Sequence, residues 1–137
     1  MRKSEIRRLV DAAKAVCSRA YAPYSGFRVG AAVLTSGGDI YTGCNIENAS
    51  YSMTMCAERA AMFNAVTNGH HDIIAIAVYT DTAAPIPPCG ACRQVIHELG
   101  RGATVIMACP SERIDIKRED DLLPNGFTED NLGKTVP

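Results

Sequence analysis

Ile73-Ile74-Ala75-Ile76-Ala77-Val78-Tyr79 and Ala103-Thr104-Val105-Ile106-Met107-Ala108 are two near-continuous apolar runs of strand length. Such runs mark strands covered on both faces. Between them lie a proline-rich loop, Asp81 to Pro88, and a short helical segment, Gly90 to Leu99, stopped at Gly100. Two strands joined through a helix are predicted to run parallel, with a right-handed crossover.

Upstream, Cys56 to Asn68 reads as a helix carrying Ala57, Ala60, Ala61, Phe63, Ala65 and Val66, with Thr54 as a cap and Asn68-Gly69 as its stop. Before it, Arg28–Leu34 and Ile40–Cys44 flank Thr35-Ser36-Gly37-Gly38-Asp39, the pattern of a hairpin. Asn45 to Thr54 is polar and aperiodic, the texture of a functional loop. At the N-terminus Ile6, Leu9, Val10, Ala13, Val16, Cys17 and Ala20 recur at helical spacing, with Ser4 as the expected N-cap and Pro23 ending the segment. Downstream, Ile114-Asp115-Ile116 reads as a short edge strand and the rest as a tail of turns. Helices alternating with apolar strands predict an α/β layered domain on a mixed sheet.

The 137 residues, 47% of them hydrophobic, suit one domain spanning 1–137. The net charge is −1, from 14 basic and 15 acidic residues. That balance disfavours a nucleic-acid polymer as substrate. Neither a signal peptide nor a membrane span is visible, so a soluble, cytoplasmic protein is expected. Six cysteines in such a chain are expected to be thiols or metal ligands rather than disulfides. Cys17, Cys44 and Cys109 lack a partner motif and are expected to be buried structural thiols.

The other three carry the chemistry. Cys56 stands two residues before Glu58, and Cys89 and Cys92 form a Cys-x-x-Cys behind Pro87-Pro88. Each group opens a predicted helix, where the dipole lowers a thiol pKa. Three thiolates and a nearby carboxylate suit a catalytic zinc, which keeps one position for water, better than a structural zinc, which closes its shell with four protein ligands. Glu58 is then the acid/base, and Arg59 and Arg93 are expected to hydrogen-bond the sulfurs and draw charge away. Two rival readings stay open on spacing alone: a structural zinc with a fourth ligand from His70, His71, His97 or Cys44, and a redox Cys-x-x-Cys. The redox reading leaves Cys56 and Glu58 without a role. The three histidines are expected to be solvent-facing or satisfied elsewhere.

Cys-x-Glu followed by Pro-Cys-x-x-Cys resembles the signature of zinc-dependent nucleobase deaminases. The likeness extends through Pro23-Tyr24-Ser25-Gly26-Phe27, Val29-Gly30-Ala31-Ala32, Gly43 to Tyr51, Cys56-Ala57-Glu58-Arg59, Pro88 to Gln94, and Leu122-Leu123-Pro124 to Phe127. Those segments, in order over about residues 4–132, resemble the small homotetrameric cytidine deaminases of the three-cysteine type. The resemblance implies a three-layer α/β fold, a mixed central sheet of about five strands with helices on both faces. It implies one Zn2+ per subunit on Cys56, Cys89 and Cys92, and Glu58 as the proton shuttle. The implied reaction is hydrolytic deamination of cytidine and deoxycytidine at C4, in pyrimidine salvage, with release of ammonia. Asn45 and Glu47 are similar to a pair that binds the ribose 3′-hydroxyl. Phe27 is similar to an aromatic residue flanking the pyrimidine, and the backbone at Ala57 and Cys89 to groups reading the base edge. Phe127 is similar to a ring contact supplied by a neighbouring subunit, which implies a homotetramer with shared active sites.

Ser52, Pro87, Gly126 and Thr128 depart from the family pattern, and Asp81–Pro88 and Ser111–Asp121 match it weakly. These departures bear on substrate preference. The rival substrates are another aminopyrimidine nucleoside, such as a blasticidin-type antibiotic, or none at all in a zinc-stabilised assembly module. A structural site has no need of Glu58.

Overall fold

The computed structural model describes residues 1–133. The elements are α1 (Lys3–Cys17), β1 (Val29–Thr35), β2 (Ile40–Cys44), α2 (Ala57–Thr67), β3 (Ile73–Thr80), α3 (Gly90–Leu99), β4 (Thr104–Ala108), β5 (Ile114–Arg118) and α4 (Glu119–Leu122), with 3-10 turns at Tyr51–Met53 and Glu129–Leu132. The five strands form one sheet in the order β2-β1-β3-β4-β5. β3 and β4 are parallel, as the strand–helix–strand pattern predicts, and the other neighbouring pairs are antiparallel. The mixed α/β sheet expected from the sequence is the one observed.

Alternation along the central strands gives the sheet two apolar faces. Ala31, Val33, Ile76, Val78, Val105 and Met107 meet Ala57, Ala61, Met62 and Ile96 of α2 and α3. Ala32, Leu34, Ala75, Ala77, Ile106 and Ala108 meet Leu9, Val10, Ala13 and Cys17 of α1. Many of these side chains are small, so the helices lie close to the sheet. Gly43 marks one such approach: a Cβ there would stand 2.3 Å from the Ala61 nitrogen. α2, which follows β2, is thereby pressed onto the sheet beside α3.

Several boundaries differ from expectation. α1 starts at Lys3, one residue before the expected cap Ser4, because the Arg2 N–H donates to Glu5 Oε1 (3.1 Å) and closes the first turn from outside. Thr54 does not cap α2; its hydroxyl accepts the Asn48 N–H (3.2 Å), and Cys56 takes the N-cap position. β5 runs five residues, and the acidic run after it turns into α4 rather than irregular chain. Among the described residues, no helix is long and apolar enough to cross a membrane.

Candidate active site

β2 and β3 each run antiparallel to β1, and hence parallel to one another. The chain leaving each strand therefore emerges at the same end of the sheet, and α2 and α3 begin there side by side. Cys56 is the N-cap of α2 and Cys89 the N-cap of α3, both in extended backbone, while Cys92 lies a turn inside α3 and is fully buried. The three sulfurs lie within 4.8 Å of one another, and Cys56 Sγ and Cys89 Sγ are 3.9 Å apart. The edge of a tetrahedral zinc–thiolate site is about 3.8 Å, given zinc–sulfur bonds of about 2.3 Å. The donor set and its spacing thus fit a zinc ion. Among the described residues no histidine and no fourth cysteine joins the group.

The electrostatics favour thiolate at Cys56. Hydrogen bonding from Cys92, assisted by Arg59 and Cys89, lowers the Cys56 thiol to about 5 against its burial. Cys92, donor to Cys56 and buried, is pushed up in turn. Arg59 Nη2 donates to Cys56 Sγ at 3.4 Å, and the thiolates raise the Arg59 pKa and keep it charged. Among the described residues its buried Nε has no hydrogen-bond partner. Arg93 is placed differently from the expectation that it would bond a sulfur. Its Nε donates to the Pro88 carbonyl (2.8 Å) and its Nη1 to the Leu122 carbonyl (2.9 Å). One residue past Cys92 is about 100° around the helix, so Arg93 faces α4 while Cys92 faces the sulfur cluster.

Glu58 is 5% exposed. Burial raises its carboxyl to about 7, and the neighbouring Cys56 charge adds to the effect. It borders a cavity of about 230 Å3 with Phe27, Val29, Asn45, Thr54, Met55, Cys56, Ala57, Val78, Thr80, Ile86, Pro87 and Cys89. Phe27, 43% exposed, forms part of its edge. Asn45 is buried, and its amide spans the main chain of the facing loop: Nδ2 donates to the Phe27 carbonyl (2.7 Å) and Oδ1 accepts the Val29 N–H (2.8 Å). Glu47 Oε1 accepts the N–H groups of Tyr24 (2.9 Å) and Ser25 (3.1 Å), and its other oxygen accepts the Ser25 hydroxyl. The Ser25 hydroxyl holds the Glu47 carboxyl below the usual carboxylate range. Glu47 borders an adjoining hollow with Tyr24, Ser25, Tyr51 and Thr54, and Thr54 lines both spaces.

Phe127 is not among the residues lining these spaces. It stands on the far flank of α3, 54% exposed, with Gln94 Nε2 donating to its carbonyl (3.0 Å). His97 is buried against Glu119 and His70 pairs with Asp39, and neither belongs to the thiol cluster. All six cysteines are free; Cys17 and Cys109 are buried, whereas Cys44, expected to be so, is half-buried. Met55, Val78, Thr80 and Ile86 are pocket residues that sequence reasoning missed. They come from strand and loop positions whose composition reads equally as core.

A family model described as the cytidine and deoxycytidylate deaminase zinc-binding region matches residues 3–109. The chain belongs to the cytidine and deoxycytidylate deaminase family. It is 46% identical over 129 residues to a cytidine deaminase of Sporosarcina psychrophila, covering 93% of this chain and 95% of the relative. It is 49% identical over 114 residues to a cytidine deaminase of Halalkalibacterium halodurans, covering 82% and 86%. Among solved structures it is similar to a cytidine deaminase from Burkholderia pseudomallei, with a TM-score of 0.86 and 45% identity over 93% of this chain and 100% of that one. As a deaminase of this zinc-binding family, the protein has Cys56, Cys89 and Cys92 positioned for one Zn2+.

Proposed function

We propose that this protein hydrolytically deaminates cytidine and deoxycytidine, converting them to uridine and deoxyuridine with release of ammonia. The observation that carries the reading is Glu58, a buried carboxyl two residues from a thiolate cluster on the wall of a small cavity. A metal held only for structure needs no such group. The chain acts as a single deaminase domain in the cytoplasm.

Cys56, Cys89 and Cys92 would hold the Zn2+, which when bound would supply the Lewis acidity that makes a water nucleophilic near neutral pH. Glu58 accepts one proton from the attacking water and delivers it to N3 of the base, then carries the second proton, from the hydroxyl now on C4, to the amine as the C4–N bond breaks and ammonia leaves. A carboxyl raised by burial is suited to both halves of that task. Phe27 flanks the base, and the main chain at Ala57 and Cys89 borders the space for its edge. Asn45 and Glu47 hold the sugar: each already ties the 24–29 loop in place, so the groups that meet the 3′-hydroxyl are rigid before substrate arrives. Arg59 offsets charge on the sulfurs. Arg93 anchors the Pro88 carbonyl next to Cys89.

Phe127 serves as a second ring contact for a neighbouring subunit of a homotetramer. Its exposure and its absence from the pocket of its own chain support that assignment. The test is a spectrophotometric panel of cytidine, deoxycytidine, adenosine and blasticidin S on protein of measured zinc content. Turnover of the two cytosine nucleosides is expected. Zinc-loaded protein that turns over none of the four overturns the reading in favour of an assembly module, and selective turnover of blasticidin S redirects it to that class of substrate.

A further inference from the structure

Helix α3 works at two places along its length. Cys89 and Cys92 stand at its start, beside the pocket. Farther along, Arg93 Nη1 holds the Leu122 carbonyl, Gln94 Nε2 holds the Phe127 carbonyl, and His97 Nδ1 lies 2.8 Å from Glu119 Oε2. Residues 93, 94 and 97 project from neighbouring turns of one side of the helix. All three partners belong to residues 119–127.

The His97–Glu119 pair is the buried member of this set, with the residues 7% and 2% exposed. The second Glu119 oxygen accepts the Gly102 N–H at 2.8 Å, so both carboxylate oxygens are engaged. Removing one partner from such a pair leaves a buried polar group unsatisfied, which fixes the arrangement strongly. Gly126 lies directly on the imidazole: a Cβ there would stand 2.9 Å from His97 Cδ2, 3.0 Å from Nε2 and 2.8 Å from Leu123 Cδ2. The next residue is Phe127. Its backbone is tethered while its ring is displayed outward. An aromatic ring presented in that way is preorganised for contact beyond its own chain.

We propose that His97 is a positioning residue. Through its pair with Glu119 and its contact with Gly126 it sets the backbone from which Phe127 presents its ring to the base. The proposal rests on the reading of Phe127 as a base contact. His97 touches no reacting atom, so its effect falls on substrate affinity.

Steady-state kinetics on zinc-loaded enzyme with cytidine test it, using His97→Ala, Glu119→Ala, Glu119→Gln, Gly126→Ala, Phe127→Ala and the His97→Ala/Phe127→Ala double variant. His97→Ala, Glu119→Ala and Gly126→Ala are expected to raise KM about five- to tenfold. Their kcat should stay within about twofold and their zinc content should not change. Glu119→Gln keeps an oxygen for Gly102 and an amide for His97, and should restore KM. In the Phe127→Ala background, His97→Ala should add nothing further. Gly126→Ala leaves the buried pair chemically intact, so it carries the test if His97→Ala does not fold. A raised KM in Phe127→Ala with normal KM in Gly126→Ala and His97→Ala, or additive effects in the double variant, overturns the proposal and leaves the Phe127 reading standing. A normal KM in Phe127→Ala itself overturns both.

Discussion

Cys56 Sγ and Cys89 Sγ lie 3.9 Å apart although 33 positions separate the residues in sequence. The closeness comes from topology. β2 and β3 point the same way, so the helices that follow them start together. A metal bound there ties two helices and two strands across the sheet. Cys89→Ala is therefore expected to lose zinc and stability together. A ligand at about 1,000 times its Kd contributes about 4 kcal/mol. Its loss should lower the Tm by about 10 °C or more. Metal analysis and calorimetry on one sample check this. A fully metallated Cys89→Ala protein would count against its ligand role.

Glu58→Gln preserves shape and removes the proton carrier. Proton transfer by a placed carboxyl is worth about 10²–10⁴-fold in rate. The variant is expected to keep one equivalent of zinc and to lose at least that factor in kcat. Near-normal turnover with cytidine would remove Glu58 from its role.

Glu47 provides the pH test. Its carboxyl is held low by the Ser25 hydroxyl and the N–H groups of Tyr24 and Ser25. A group whose folded pKa is depressed contributes above its unfolded pKa and loses that contribution as pH falls through the folded value. Between pH 8 and pH 5 Glu47 should therefore remain ionised, and its hold on the loop should be constant. Glu47→Gln is expected to raise KM by a factor that does not vary over that range. A wild-type KM that climbs towards the Glu47→Gln value between pH 6 and pH 5 would show a carboxyl raised above the ordinary glutamate range instead of held below it.

The strands and helices were legible because their apolar periodicities are long and uninterrupted, as in Ile73–Tyr79 and along α1. The metal centre was legible because its ligands come in short motifs, each opening a helix. What the sequence did not show depends on direction. Nothing in Cys92-Arg93 reveals that the second side chain turns about 100° away, towards Leu122. Asn45 reads as a sugar ligand, yet its amide also bridges Phe27 and Val29, a contact that exists only once the loop has folded over it. The His97–Glu119 pair joins residues 22 apart that share no motif. Pocket lining from Val78 and Thr80 was hidden because a strand end that borders a cavity has the same composition as one that borders core.

Gly43 links fold to site most directly. A Cβ at that position would stand 2.3 Å from the Ala61 nitrogen and 2.7 Å from the Ala60 carbonyl carbon. Both are main-chain atoms of α2, so no side-chain rotation relieves the clash and the helix itself must move away from β2. Overpacking of this kind costs about 1–3 kcal/mol. The same helix carries Cys56 at its N-cap and Glu58 in its first turn. Gly43→Ala is accordingly expected to lower both Tm and kcat/KM, although residue 43 lines neither space of the site. Thermal melts and cytidine turnover on the same preparation check the coupling. A variant that melts lower but turns over normally would show that α2 can shift without disturbing the thiolate cluster.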